Sequence, residues 1–191
     1  MTIKLIVGLR NPGIEYAQTR HNVGNWFINA VQDIYSMHFK INKSMHAELT
    51  QVNIANHMCR FLLSLDFMNN NGYAVSAISN FLRIEPAEIL IVHDDLDLDC
   101  GRIKLKTTGS SGGHHGVQNV ISQLGTKHFN RLRIGIGHPG HKDLVSNYVL
   151  NKPILNEKQL IINAIHYGVS FVPMLVQGNI EAVMNTVNGK I

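Results

Sequence analysis

Within Glu88-Ile89-Leu90-Ile91-Val92, running into His93-Asp94-Asp95, Ile89 to Val92 is an unbroken apolar stretch rather than an alternating one. A strand of that composition is buried on both faces, as a central strand of a sheet is. Its neighbours support this. Upstream, Ile3 to Leu9 is a second short apolar run, broken by Asn11-Pro12-Gly13. Val23, Trp26, Phe27, Ala30, Val31 and Ile34 then fall on one stripe of an amphipathic helix. Ala47 to Ile54 and Met58 to Leu65 predict two strands joined by a turn at Asn56-His57, and Phe67 to Gly72 predicts a polar loop. Val75, Ile78 and Leu82 mark a second helix.

Downstream, Arg102 to Lys106 alternates basic and apolar residues, which predicts a strand with one charged face. Gly109 to Gly116 is a loop of Gly, Ser and His, a short helix follows to Leu124, and Leu132 to Gly137 predicts another strand. Leu160, Ile161, Ala164 and Ile165, then Ile180, Val183, Met184 and Val187, predict a helical tail. Strands alternating with helices give one α/β domain around a mixed sheet. Ligands of such sheets bind beyond the carboxyl ends of central strands. The loops after Leu9, Val92 and Lys106 occupy such positions.

Composition narrows the function classes. A chain of 191 residues that is 45% hydrophobic can bury a core without disulfides or a structural metal, and is not an intrinsically disordered chain. Cys59 and Cys100 form no framework, and no apolar run of ~18 residues predicts a membrane span. The chain reaches an apolar strand within two residues of Met1, without the basic and apolar regions of a signal peptide. A cytoplasmic protein is expected. A net charge of +4 raises the prior for a polyanionic partner.

Several residues have the chemistry of a hydrolytic site. His21, just ahead of the first helix, suits proton transfer near neutral pH. Asp94, at a strand mouth, can hold the ring N–H of a histidine and fix its tautomer. Asn11 and Asn69 lie in candidate loops and can donate to a developing oxyanion, although turns also favour asparagine. Gly109-Ser110-Ser111-Gly112-Gly113 matches G-x-S-x-G, yet its preceding strand is half basic, unlike that of a nucleophile elbow. His93-Asp94-Asp95 with His114-His115 could build a metal site only if the loops bend, because strand neighbours point to opposite faces. Arg102, Lys104 and Lys106, with Arg131, Arg133 and Lys142, form either a phosphate-binding face or a charged, solvated strand edge.

Ile6-Val7-Gly8-Leu9, Asn11-Pro12-Gly13, Tyr16 and Thr19-Arg20-His21-Asn22 together closely resemble the opening of bacterial peptidyl-tRNA hydrolases. Phe67-Met68-Asn69, His93-Asp94-Asp95-Leu96-Asp97 and Arg131 through Pro139 continue the resemblance in the family's order. It implies a single domain over residues 1–191, with a twisted, largely parallel mixed sheet flanked by helices. The implied activity is hydrolysis of the ester joining a peptide to the 3′ ribose of tRNA, by a monomer acting on the acceptor stem and 3′ end. No cofactor and no metal are implied. His21 corresponds to the general base, Asp94 to its support, and Asn11 to a residue that tells N-blocked from free aminoacyl-tRNA. Tyr16, Phe67 and Asn69 correspond to positions lining the tRNA and peptide site, and Lys104, Lys106, Arg133 and Lys142 to tRNA contacts. Where the family usually has asparagine after Gly-Gly-His, this chain has His115, which offers one donor and one acceptor at a different reach. Asp66, Asn70, Asn71 and His141 are lesser departures. A non-catalytic RNA-binding module of the same fold is the alternative.

Overall fold

The computed structural model describes residues 1–189; the last two positions of the expected domain, 190 and 191, lie outside the described residues. Seven strands form one sheet: β1 (Leu5–Gly8), β2 (Lys40–Asn42), β3 (Ala47–Ile54), β4 (His57–Ser64), β5 (Ile89–Asp95), β6 (Ile103–Lys106) and β7 (Asn130–Gly135). Their order is β2-β3-β4-β1-β5-β7-β6. The central four, β4-β1-β5-β7, are parallel, while β2, β3 and β6 join antiparallel. The helices are α1 (Val23–Tyr35), α2 (Asn71–Leu82), α3 (His115–Leu124), α4 (Val145–Val149), α5 (Leu155–Val169), α6 (Val172–Val176) and α7 (Ile180–Asn188).

The apolar run of β5 is continuous because both of its faces are covered. Leu90 and Val92 point into a core with Phe27, Ile161 and Ile165, whereas Ile89 and Ile91 meet Val75, Ile78 and Val120 on the other side. β1 divides in the same way, with Ile6 on the first side and Leu5 and Val7 on the second. Every one of these side chains is 3% exposed or less, so each contributes close to its full burial energy, roughly 1.5–3 kcal/mol for a large aliphatic residue.

Several details differ from the sequence reading; β6 starts at Ile103 rather than Arg102, and α4 has no counterpart in it. The β3–β4 turn is Ala55-Asn56, one residue early, with φ of 50° and 66°. Two successive left-handed residues make the tight turn whose twist matches the flanking strands. Residues 67–72 are not simply a loop: a 3₁₀ turn at Met68–Asn70 leads directly into α2. β7 starts two residues earlier than predicted, because Asn130 and Arg131 are buried members of the ladder with β5. β2 is too short to leave a periodic signal.

The sheet edges are blunted by simple means. β2 is only three residues long. On β6 the Asn188 side chain accepts from the Leu105 N–H and donates to its carbonyl, both at 2.9 Å, in place of a neighbouring strand.

Candidate active site

β1 and β5 lie side by side and parallel, and β4 flanks β1. Their carboxyl ends therefore deliver Leu9–Asn11, His93–Asp95 and Leu65–Asn69 to one rim of the sheet, at its topological switch point. Two glycines bring α1 down onto that rim. A Cβ at Gly8 would fall on the carbonyl oxygen of Gly24, and one at Gly24 would lie 2.7 Å from the Leu9 nitrogen and collide with the Val92 carbonyl. The short turn that opens α1 thus carries His21 over the end of β5. Arg20, buried beside it, fixes this turn from behind. Its guanidinium donates to the carbonyls of Tyr148, Asn151 and Lys152, pairs with Glu157 at 2.6 Å, and stacks 4.0 Å from the Tyr148 ring centroid.

His21 Nδ1 lies 2.9 Å from each carboxylate oxygen of Asp94. A carboxylate only accepts, so Nδ1 carries the proton. Nε2 makes no hydrogen bond among the described residues and is left as a free lone pair in the wall of a cleft of about 740 Å³. Burial pushes His21 down, but the charge of Asp94 and its hydrogen bond more than offset this, and the imidazole is raised above its ordinary value. Burial pushes the Asp94 carboxyl up, yet the histidines at 21 and 114 pull it well below the usual carboxylate range.

His114, which the sequence offered only as a possible metal ligand, occupies the site position expected of its neighbour His115. Its Nε2 meets Asp94 Oδ1 at 2.8 Å, and its Nδ1 accepts the Val117 N–H at 3.2 Å as the N-cap of α3. His93 stands behind it, with ring centroids 4.9 Å apart, and donates Nδ1–H to the Asp94 carbonyl at 2.6 Å. Burial, and then His114, push His93 down to about 3, so it stays neutral. His21, Asp94 and His114 bring ligand atoms within 4.8 Å of one another, as a metal site would. The hydrogen bonds favour a different use. Both ring nitrogens facing Asp94 carry protons, and His114 cannot move its proton to Nδ1 without setting N–H against the Val117 N–H.

Asn11 is held as a donor. Its Oδ1 accepts the Met68 N–H at 2.8 Å, and its backbone is bracketed by Asn22, which accepts from its N–H and donates to its carbonyl, both at 2.8 Å. The Asn11 side-chain N–H₂ makes no hydrogen bond among the described residues and belongs to the cleft wall. Asn71 braces the adjoining loop by accepting from the Arg10 N–H and donating to the carbonyls of Arg10, Asp66 and Phe67. With twenty asparagines in the chain, no local pattern distinguishes Asn22 or Asn71 from a turn residue.

Of the residues expected at the site, Asn11, His21, Asn69, Asp94, Lys106, His115, Arg133 and Lys142 all line the cleft. Tyr16 and Phe67 do not. They pack edge to face with centroids 5.9 Å apart, and Phe67 is half exposed. Lys104 also lies outside the lining, although the β6–β7 register pairs it with Arg133 and pairs Lys106 with Arg131. All four cations therefore share one face. Like charges directly opposed repel, and two are relieved: Arg133 donates to Asp95 at 2.5 Å, and Arg131 to the carbonyls of Gly109 and Ser110. Arg131 is thus a strap on the Gly-Ser loop, a role its alternating sequence does not reveal. Ser111 is part of the cleft wall, but His21 is committed to Asp94 and no serine hydroxyl bonds a histidine ring among the described residues.

Residues 5–191 match the family model described as peptidyl-tRNA hydrolase. A peptidyl-tRNA hydrolase of Legionella pneumophila (strain Lens) is 57% identical over 188 residues, which cover 98% of this chain and 100% of the relative. One from Edwardsiella ictaluri is 47% identical over 190 residues, covering 99% and 97%. The crystal structure of peptidyl-tRNA hydrolase from Acinetobacter baumannii superposes with a TM-score of 0.95 at 46% identity, over 98% of this chain and 95% of that one.

Proposed function

The chain belongs to the peptidyl-tRNA hydrolase family and hydrolyses the peptidyl-tRNA ester, and we propose that it does so with His21 as general base and Asp94 as its support. The observation that carries this reading is the hydrogen bond from His21 Nδ1 to Asp94, which leaves Nε2 bare in the cleft. Nε2 takes a proton from water as the water oxygen adds to the ester carbonyl carbon. The imidazolium keeps its Nδ1–H on Asp94, which stabilises the charge. The tetrahedral oxyanion receives N–H donors from Asn11 and Asn69. Its collapse breaks the bond to the ribose 3′ oxygen, which regains the proton from Nε2. The peptide's new carboxyl group gives the second water proton to solvent, and peptide carboxylate and tRNA leave. A ribose alkoxide is a workable leaving group once protonated, so neither a protein nucleophile nor a metal is required.

Lys106 and Lys142 at the cleft, with Lys104 on the same strand face, hold acceptor-stem phosphates, giving affinity that is salt-dependent and largely independent of sequence. Arg133 contributes only the N–H groups not spent on Asp95. Tyr16 and Phe67 form an apolar ledge outside the cleft wall for the peptide or the terminal base. His115, exposed at the first turn of α3, offers its ring to the tRNA end. The protein acts as a monomer in the cytoplasm. The short β2 edge and the Asn188 cap on β6 support the first point, and the location of its substrate supports the second. No described helix is long and apolar enough to cross a membrane.

Asp94→Asn tests the reading. An amide donating to Nδ1 would place the imidazole proton on Nε2, the wrong nitrogen for a base. Turnover of N-acetyl-aminoacyl-tRNA is expected to fall by about 10²-fold or more. Turnover within twofold of wild type would overturn it.

A further inference from the structure

His114 takes no part in the proton transfer, yet it is held from both sides. Val117 donates its N–H to Nδ1 at 3.2 Å, and Nε2 meets Asp94 Oδ1 at 2.8 Å. An imidazole that accepts at one nitrogen must, when neutral, donate at the other. The first turn of α3 therefore dictates that His114 is a donor to Asp94. Its ring is nearly buried between those of His21 and His93, at centroid distances of 4.8 and 4.9 Å, so it has little freedom to turn. Asp94 accordingly serves two imidazoles, and Oδ1 is shared between them.

We propose that His114 is a positioning residue for the base. Its Nε2–H fixes the Asp94 carboxylate in the orientation His21 needs, and it takes up part of the negative charge that Asp94 would otherwise lend to His21. The inference rests on the reading of His21 as the base. A carboxylate that already accepts from a second donor stabilises an imidazolium less. The site therefore works at a lower pH than an isolated His–Asp pair would, while keeping the tautomer. The surrounding groups leave this role to His114. His93 donates to the Asp94 backbone, the Arg20 guanidinium faces Glu157, and Arg133 and Asp95 satisfy each other.

Two replacements separate the histidine's two bonds. His114→Gln carries an N–H₂ near the position of Nε2 but has no acceptor placed to cap Val117. His114→Asn is a good helix N-cap but is too short to reach Asp94. Three quantities are read: His21 protonation in the free enzyme by ¹⁵N imidazole NMR, the pH profile of kcat/KM, and Tm. In His114→Asn the His21 midpoint is expected to rise by about half a pH unit or more, with the acid limb following it. kcat should fall by about 10-fold as the carboxylate loses its orientation, with KM within twofold and Tm near wild type. His114→Gln should keep the wild-type pH profile and lose Tm. An unmoved His21 midpoint in His114→Asn would overturn the proposal, whatever happens to Tm. A midpoint that moves while the acid limb stays fixed would uphold the coupling and instead refute His21 as the base.

Discussion

Gly24 in α1 lies directly against the carbonyl of Val92 in β5, so closely that a Cβ at position 24 would overlap the carbonyl oxygen. This contact sets the height of α1 over the sheet. Because His21 precedes it by three residues and Asp94 follows Val92 by two, it also sets their separation. Both sides of the contact are backbone, and neither can yield by a rotamer change. Gly24→Ala is expected to destabilise the protein by roughly 1–3 kcal/mol and to lower kcat more than it raises KM. Urea denaturation and steady-state kinetics check this; an alanine variant as stable and as active as wild type would contradict it.

With His21 as the proposed base, its raised pKa sets the expected pH dependence of activity. A base must be unprotonated, so kcat/KM should rise with pH through a midpoint above about 6.5. The link to stability has the opposite sense. A histidine raised in the folded state contributes stability that is fully present below about pH 6.5 and is lost as pH rises through its folded value. The enzyme should therefore gain activity over the same interval in which His21 ceases to contribute to stability. A pH–rate profile alongside unfolding midpoints from pH 6 to 8 reads both; an acid limb centred well below 6.5 would count against the pairing.

His93 acts on the other side of that pH. It is buried and pushed down to about 3, so between there and about 6.5 the unfolded chain binds a proton that the folded one refuses. Its contribution is intact above about 6.5 and is lost as pH falls, by up to about tenfold in the folding constant per unit. His93→Phe should flatten the decline in urea midpoint between pH 7 and pH 4. An unchanged slope would show that the loss comes from other groups.

Lys106 and Lys142 line the cleft without a carboxylate within ion-pair distance among the described residues. Replacing either with alanine is expected to raise KM for intact peptidyl-tRNA, leave kcat within about twofold, and reduce the salt slope of binding by about one. A minimal nucleotidyl ester lacking the acceptor stem should be cleaved as before; an equal loss on it would contradict a phosphate role. Arg133→Ala is a poorer test because it also strands Asp95.

The fold was legible where burial writes itself into the sequence. Ile89 to Val92 identified a two-sided strand, and the stripe from Val23 to Ile34 identified α1. It was illegible where tertiary context decides. Arg131 is polar in sequence but buried in the ladder, because two loop carbonyls receive its N–H groups. Asn71 looked like a departure in a polar loop and is instead the brace of that loop. At the site, His21, Asp94 and Asn11 could be named from the sequence, but the choice between His114 and His115 could not. Adjacent residues at a helix start point in different directions, and only the Val117 cap shows which ring turns inward.

The central claim is that the imidazole of residue 21, held by Asp94, deprotonates the attacking water. Single-turnover cleavage of N-acetyl-aminoacyl-tRNA by His21→Ala, with tRNA affinity measured on the same preparation, tests it most directly. The predicted result is a loss of about 10²–10⁴-fold in the chemical step with Kd for tRNA unchanged. Cleavage at a near-wild-type rate by a folded, tRNA-binding variant would contradict it.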